Sequence, residues 1–279
     1  MRRTALVLAV LLTAGCGAAA ETDAESPAAP STSQAAVPSV PGMEAEIVRL
    51  RTDEAIGGQV QVRITDTGDT PFTVTSVALR SPGFAPEPPT AAAAQYVPGR
   101  VIDLPVPYGR PDCDADPLPA TAELTVQRPD GSVEHLQAPA AADVLELIHT
   151  EECAVLAVTA VVDIAVADLH DDGDALAGSL TLIRRTGKEP VSATGLGRSV
   201  LIEPDADLPL ELPGDEDRAS ASVSFTPATC DPHVLSETKK PYVFPLSVIV
   251  GEDGDAVPVD LPLEQSARDQ LAALVQRVC

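Results

Sequence analysis

The sequence predicts a mainly β protein made of two tandem β-sandwich repeats, each ending in a short α-helix tied down by a disulfide. Three observations predict it. Short runs of alternating apolar and polar residues recur along the chain, the pattern of strands that bury one face. Turn signals such as "DTGDTP", "RTGKEP", "RPDG" and "GEDGD" separate them at short spacing, which suits a sandwich or barrel better than a parallel sheet. Two segments, residues 113–153 and 230–279, each open on Cys-Asp and close on Cys, so the chain states one theme twice.

The first repeat, residues 44–153, contains "GQVQVRIT", in which Val60, Val62 and Ile64 alternate with polar neighbours. The second, residues 154–279, offers "SLTLIRR", "SASVSF" and "YVFPLSVIV" in the same style. "GGQVQVRITDTGDTPFTVTSVAL" set beside "AGSLTLIRRTGKEPVSATGLGRSVLI" shows strand, tight Gly-containing turn and strand at matching places. After each Cys-Asp comes an apolar run, "AELTVQ" or "FPLSVIV", then a turn at Asp130-Gly131 or Asp253-Gly254, a second short run and a helical stretch. Helices are expected only there. Val144, Leu145, Leu147 and Ile148 take helical spacing in the first copy; Leu271, Leu274, Val275 and Val278 do so in the second, with Ser266 as N-cap. Strands in this order point to immunoglobulin-like sandwiches.

Aromatic residues are 3% of the chain and Trp is absent, so aliphatic packing must close each core. Covalent help is expected. Four cysteines, Cys113, Cys153, Cys230 and Cys279, allow three pairings. If each repeat folds as a unit, the natural pairs are Cys113 with Cys153 and Cys230 with Cys279, each contributing up to about 4 kcal/mol by restricting the unfolded chain.

The fifth cysteine lies at the start. "MRRTALVLAVLLTAGCG" carries two arginines, an apolar stretch over residues 5–12 and then small residues, the layout of a secretory signal and too short to span a bilayer. Its "LTAGC" resembles the lipobox of bacterial lipoproteins. That resemblance implies that residues 1–15 are removed and that Cys16 is diacylated and anchors the chain to the outer face of the cell membrane; a plain signal cut among residues 18–20 is the alternative. The rest of residues 16–43 is Ala-, Pro- and Ser-rich without periodicity, a tether with a reach of about 30 Å. The Ala, Val, Pro and Arg-over-Lys usage suggests a GC-rich bacterial genome, such as an actinobacterium's.

Net charge is −24, which repels phosphate backbones and anionic lipid alike, so nucleic acid is excluded as a partner and the membrane is met through the acyl chain. Chemistry is sparsely marked. No Gly-x-Ser-x-Gly elbow exists, and His135, His149, His170 and His233 read as surface or rim residues. A hydrolase would need Asp231 and His233 to work with a group from the other repeat. "DLHDDGDALAG" places Asp168, Asp171, Asp172 and Asp174 around Gly173, oxygen ligands of the kind Ca²⁺ favours, although compared with the EF-hand calcium loop His170 occupies the third position and Ser179 stands where the bidentate Glu should be. Tyr96 and Tyr108 flank a Pro-rich loop, "APEPPTAAAAQYVPGR", and either face a ligand or pack on their own domain. The expectation is a non-enzymatic binding or scaffolding module of the cell envelope that needs no cofactor and meets a protein partner there. A Ca²⁺ or small-ligand accessory protein is the alternative, and a hydrolase comes last.

Overall fold

The alternating runs do become strands. The computed structural model describes residues 37–279; the expected signal segment, Cys16 and the tether as far as residue 36 lie outside the described residues. Val40 already packs on the first core and Met43 opens the first strand.

The first module comprises β1 (Met43–Val48), α1 (Arg51–Ile56), β2 (Gln59–Asp66), β3 (Phe72–Arg80), β4 (Thr90–Tyr96), β5 (Val101–Pro107), β6 (Ala120–Gln127) and β7 (Val133–Ala141). Its strands form one seven-stranded sheet in the order β4-β3-β6-β7-β1-β2-β5, antiparallel throughout except where β1 runs parallel to β7. The sheet folds over until β3 and β4 come close to β5. Val60, Val62 and Ile64 lie in its core with Val74, Tyr96 and Val126, as period-2 burial requires.

The second module follows through α2 (Asp143–Val161) and comprises β8 (Val162–Asp172), β9 (Ala175–Arg184), β10 (Val191–Leu196), β11 (Ile202–Ala206), β12 (Leu210–Leu212), β13 (Arg218–Pro227), α3 (Pro232–Glu237), β14 (Pro245–Val250), β15 (Val257–Asp260) and α4 (Gln265–Val278). It has two four-stranded sheets, β12-β10-β14-β15 and β11-β13-β9-β8. Apart from the additional β11, connectivity repeats: β1-β2-β5 corresponds to β8-β9-β13, and β4-β3-β6-β7 to β12-β10-β14-β15. The tandem sandwich reading therefore holds.

Both expected disulfides form, Cys113–Cys153 and Cys230–Cys279, with Cα–Cα separations of 5.7 and 5.2 Å inside the usual range for such bonds. The helices depart from expectation in three ways. First, α2 does not end at Cys153; no Gly or Pro interrupts residues 143–161, and the helix runs on until the β-branched Val161 and Val162 lead into β8. Leu145 and Ile148 bury in the first core, while Val155 and Val158 pack in the second. Ten residues separate each pair, so at 3.6 residues per turn the buried stripe rotates by about 80° between the halves. One rod thus serves two cores, and Leu147, expected inside, is 55% exposed.

Second, two short helices stand away from the repeat ends. α1 is organised by Asp53, only 1% exposed, whose carboxylate accepts from Leu50 N at 2.8 Å, Gln59 Nε2 at 2.8 Å and Gln61 Nε2 at 2.6 Å. α3 is capped by Asp231, which accepts from His233 N at 2.8 Å, with Pro232 at the first turn. Third, α4 starts before Ser266: Glu264 is its N-cap, through a backbone carbonyl that takes Ala267 N and Arg268 N. Its Leu271, Leu274 and Val275 face the core as expected.

Candidate functional site

The acidic turn that the sequence singles out joins β8 to β9. Asp168 sits at positive φ and its carbonyl contacts His170 Nδ1 at 2.9 Å; Asp171, Asp172 and Asp174 point to solvent. Arg277 of α4 reaches across, 2.8 Å from Asp171 Oδ1, and also donates to the carbonyls of Gly173 and Ala175. A guanidinium therefore already answers part of this negative charge, and the hairpin is docked on the terminal helix. Among the described residues no three His, Cys, Asp or Glu side chains gather as a metal would need.

The other candidates are dispersed. His135, His170 and His233 are exposed, and His149 packs edge-on to Phe84 while contacting Asp112 O at 2.9 Å. Asp231 spends its carboxylate on the α3 backbone and not on the His233 ring, which lies 3.4 Å from Glu237. Tyr96 and Tyr108 are core residues: Tyr96 stacks on Phe72 at 4.8 Å, and Tyr108 donates to Glu152 at 2.9 Å while accepting from Gly58 N at 3.2 Å. Burial raises both phenols, Tyr108 to about 12 with the help of its bond to Glu152.

What the structure does gather is an open seam in the first module. A sheet edge exposes unpaired backbone donors and acceptors, and proteins guard such edges with charge, proline, bulges or brevity. The described residues show each device. β5 has Asp103, Pro105 and Pro107; β11 has Glu203, Pro204 and Asp205; β15 is four residues long with Pro258 and Asp260, and β12 is three with Glu211. β8 carries Asp163 and the acidic turn, and its register slips between Ala167 and His170. Only β4, "TAAAAQY", has neither charge nor proline over seven residues. Its register against β3 slips near Ala92 and Ala93, yet its own alternation is unbroken, with Thr90, Ala92, Ala94 and Tyr96 inward and Ala91, Ala93 and Gln95 exposed.

Between β4 and β5 runs a groove of about 470 Å³, floored by Val77, Ala92, Ala94, Ile102 and Leu104, with Arg100 at its rim. Arg100 is exposed and has no ion-pair partner among the described residues, a local cation on an acidic protein. From the sequence this segment reads as a loop, because alanine is a poor strand former and a run of it shows no alternation. Pairing with β3 and the Phe72–Tyr96 stack impose the strand. The flanking Pro89 and Pro98 were the one available sign of a bounded element.

No protein-family model matches the chain, and no curated protein is similar to it. Among the solved structures with a distant likeness to the chain are the YadV chaperone (14% identity, TM-score 0.21, covering 80% of this chain and 100% of that one) and the transglutaminase of red sea bream (10% identity, TM-score 0.24, covering 81% of this chain and 32% of that one). Overlap this slight brings no function to the chain.

Proposed function

We propose that the protein is an exported, lipid-anchored, non-enzymatic module that binds or scaffolds another protein of the cell envelope. The observation that carries this reading is β4, an edge with neither charge nor proline beside an apolar groove, where every other edge strand among the described residues carries charge, proline or both. Supporting it, the two disulfides fit an extracytoplasmic compartment, and among the described residues no helix is long and apolar enough to cross a membrane. The lipobox-like "LTAGC" would supply the anchor at Cys16. A tether would then hold the paired sandwiches off an anionic surface, leaving the seam open to a partner.

The test places a photocrosslinking residue at Ala93 on β4 and, as control, at Asp163 on β8, in cells that make the protein. Capture of a discrete envelope protein from position 93 and not from 163 is the expected result; equal capture from both would reject the edge as the binding surface. Fatty-acid labelling that persists in Cys16→Ser would reject the anchor.

A further inference from the structure

Resting on that binding reading, the chemistry of the seam narrows the partner. We propose that β4 is a strand-addition site for an extended segment of another protein, one whose bulky apolar side chains alternate and which carries a carboxylate at the end nearest Arg100.

Added to β4, a new strand would extend the layer β4-β3-β6-β7 and give its main-chain groups partners that the edge now lacks. Its alternate side chains would face the groove. There Ala92 and Ala94 present only methyl groups above Ile102 and Leu104, so the space beside them matches large side chains and is left unfilled by small ones. Its other side chains would point outward beside Ala91, Ala93 and Gln95, where nothing selects them. Arg100 follows β4 at the turn into β5, and its unpaired guanidinium suits a carboxylate. A second copy of this chain is a poor occupant. Pairing β4 with β4 would set methyl against methyl over an empty groove, and would bring together two bodies of net charge −24.

The experiment uses the full chain in detergent and a synthetic peptide of alternating isoleucine and threonine that ends in aspartate. The controls are a peptide of the same composition with its isoleucines contiguous and one ending in asparagine, and all three peptides are amidated at the C-terminus so that the aspartate side chain is the carboxylate under test. Amide hydrogen exchange should slow across residues 90–96 with the alternating peptide and not with the contiguous one. Ala92→Leu, which fills the groove, and Ala93→Lys, which charges the outward face without entering the core, should each weaken binding by about tenfold or more. Arg100→Gln should cost up to about fivefold for the aspartate peptide and nothing for the asparagine peptide. Protection at another edge, equal binding of the two arrangements, binding indifferent to both β4 variants, or self-association through β4 would overturn the proposal. If position 93 still captures an envelope protein while the peptide leaves β4 unprotected, the partner chemistry is wrong and the binding reading survives; if both fail, both fall.

Discussion

In the first module β1 pairs with β2 on one side and β7 on the other, so both layers belong to one sheet; in the second, β8 pairs only with β9 and the layers stay apart. The opposite seam differs too. In the second module residues 202–212 begin as β11 on β13 and end as β12 on β10, so one stretch of chain covers both free edges. In the first, the counterpart strand β4 pairs with β3 alone and leaves β5 bare. The same connectivity therefore yields one sandwich with its seam covered and one with its seam open.

The disulfides give the largest expected contrast. Replacing both cysteines of either pair by serine should lower stability by about 2–5 kcal/mol. Because Cys153 lies on the helix that serves both cores, loss of its bond should speed amide exchange in both modules, while loss of Cys230–Cys279 should speed it in the second alone. Exchange confined to the first module in the former case would show that α2 does not couple them.

Asp53 has no counterpart in the second module. Asp53→Ala strips three hydrogen bonds and leaves the Gln59 and Gln61 amides short of an acceptor, so denaturant titration should show a loss of about 3 kcal/mol. A loss under about 1 kcal/mol would mean that α1 is ornamental to the fold.

Alkaline pH should separate the modules next. Tyr108 ionises at about 12 when folded and near 10 when unfolded, and Tyr96 is raised as well. The folded state holds these protons more tightly, so their contribution is complete below pH 10 and drains away as pH rises towards 12. The first module carries both phenols, the second only the half-buried Tyr242, whose shift is also upward. Tyr108→Phe should flatten the fall in stability between pH 10 and 12; an unchanged slope would place its origin elsewhere.

The smallest effect belongs to the acidic hairpin. Arg277→Gln breaks an exposed pair and should cost no more than about 1 kcal/mol. Millimolar Ca²⁺ should leave the melting temperature of the protein unchanged, and a clear rise would instead favour the metal-binding alternative for Asp168, Asp171, Asp172 and Asp174.

Much of the fold was legible because local patterns report burial. Val60, Val62 and Ile64 announce a strand with one dry face, Leu271, Leu274 and Val275 announce a helix with one dry stripe, and the duplicated Cys-Asp segments announce which cysteines share a unit. The candidate site was not legible in this way. Four alanines carry no period, so β4 read as a loop until β3 and the Phe72–Tyr96 stack made it a strand. α2 likewise has two buried faces set at an angle, which no single stripe in the sequence could reveal.

By itself, then, the sequence determined the strands, their duplication, the covalent pairs and the net charge of −24. Only the tertiary structure decided that one helix is shared by two cores, that Arg277 docks the acidic hairpin and that β4 stands open. The physical reason is range. Alternation and spacing are set by which way neighbouring residues point, while an edge, a seam or a shared helix depends on what arrives from a hundred residues away.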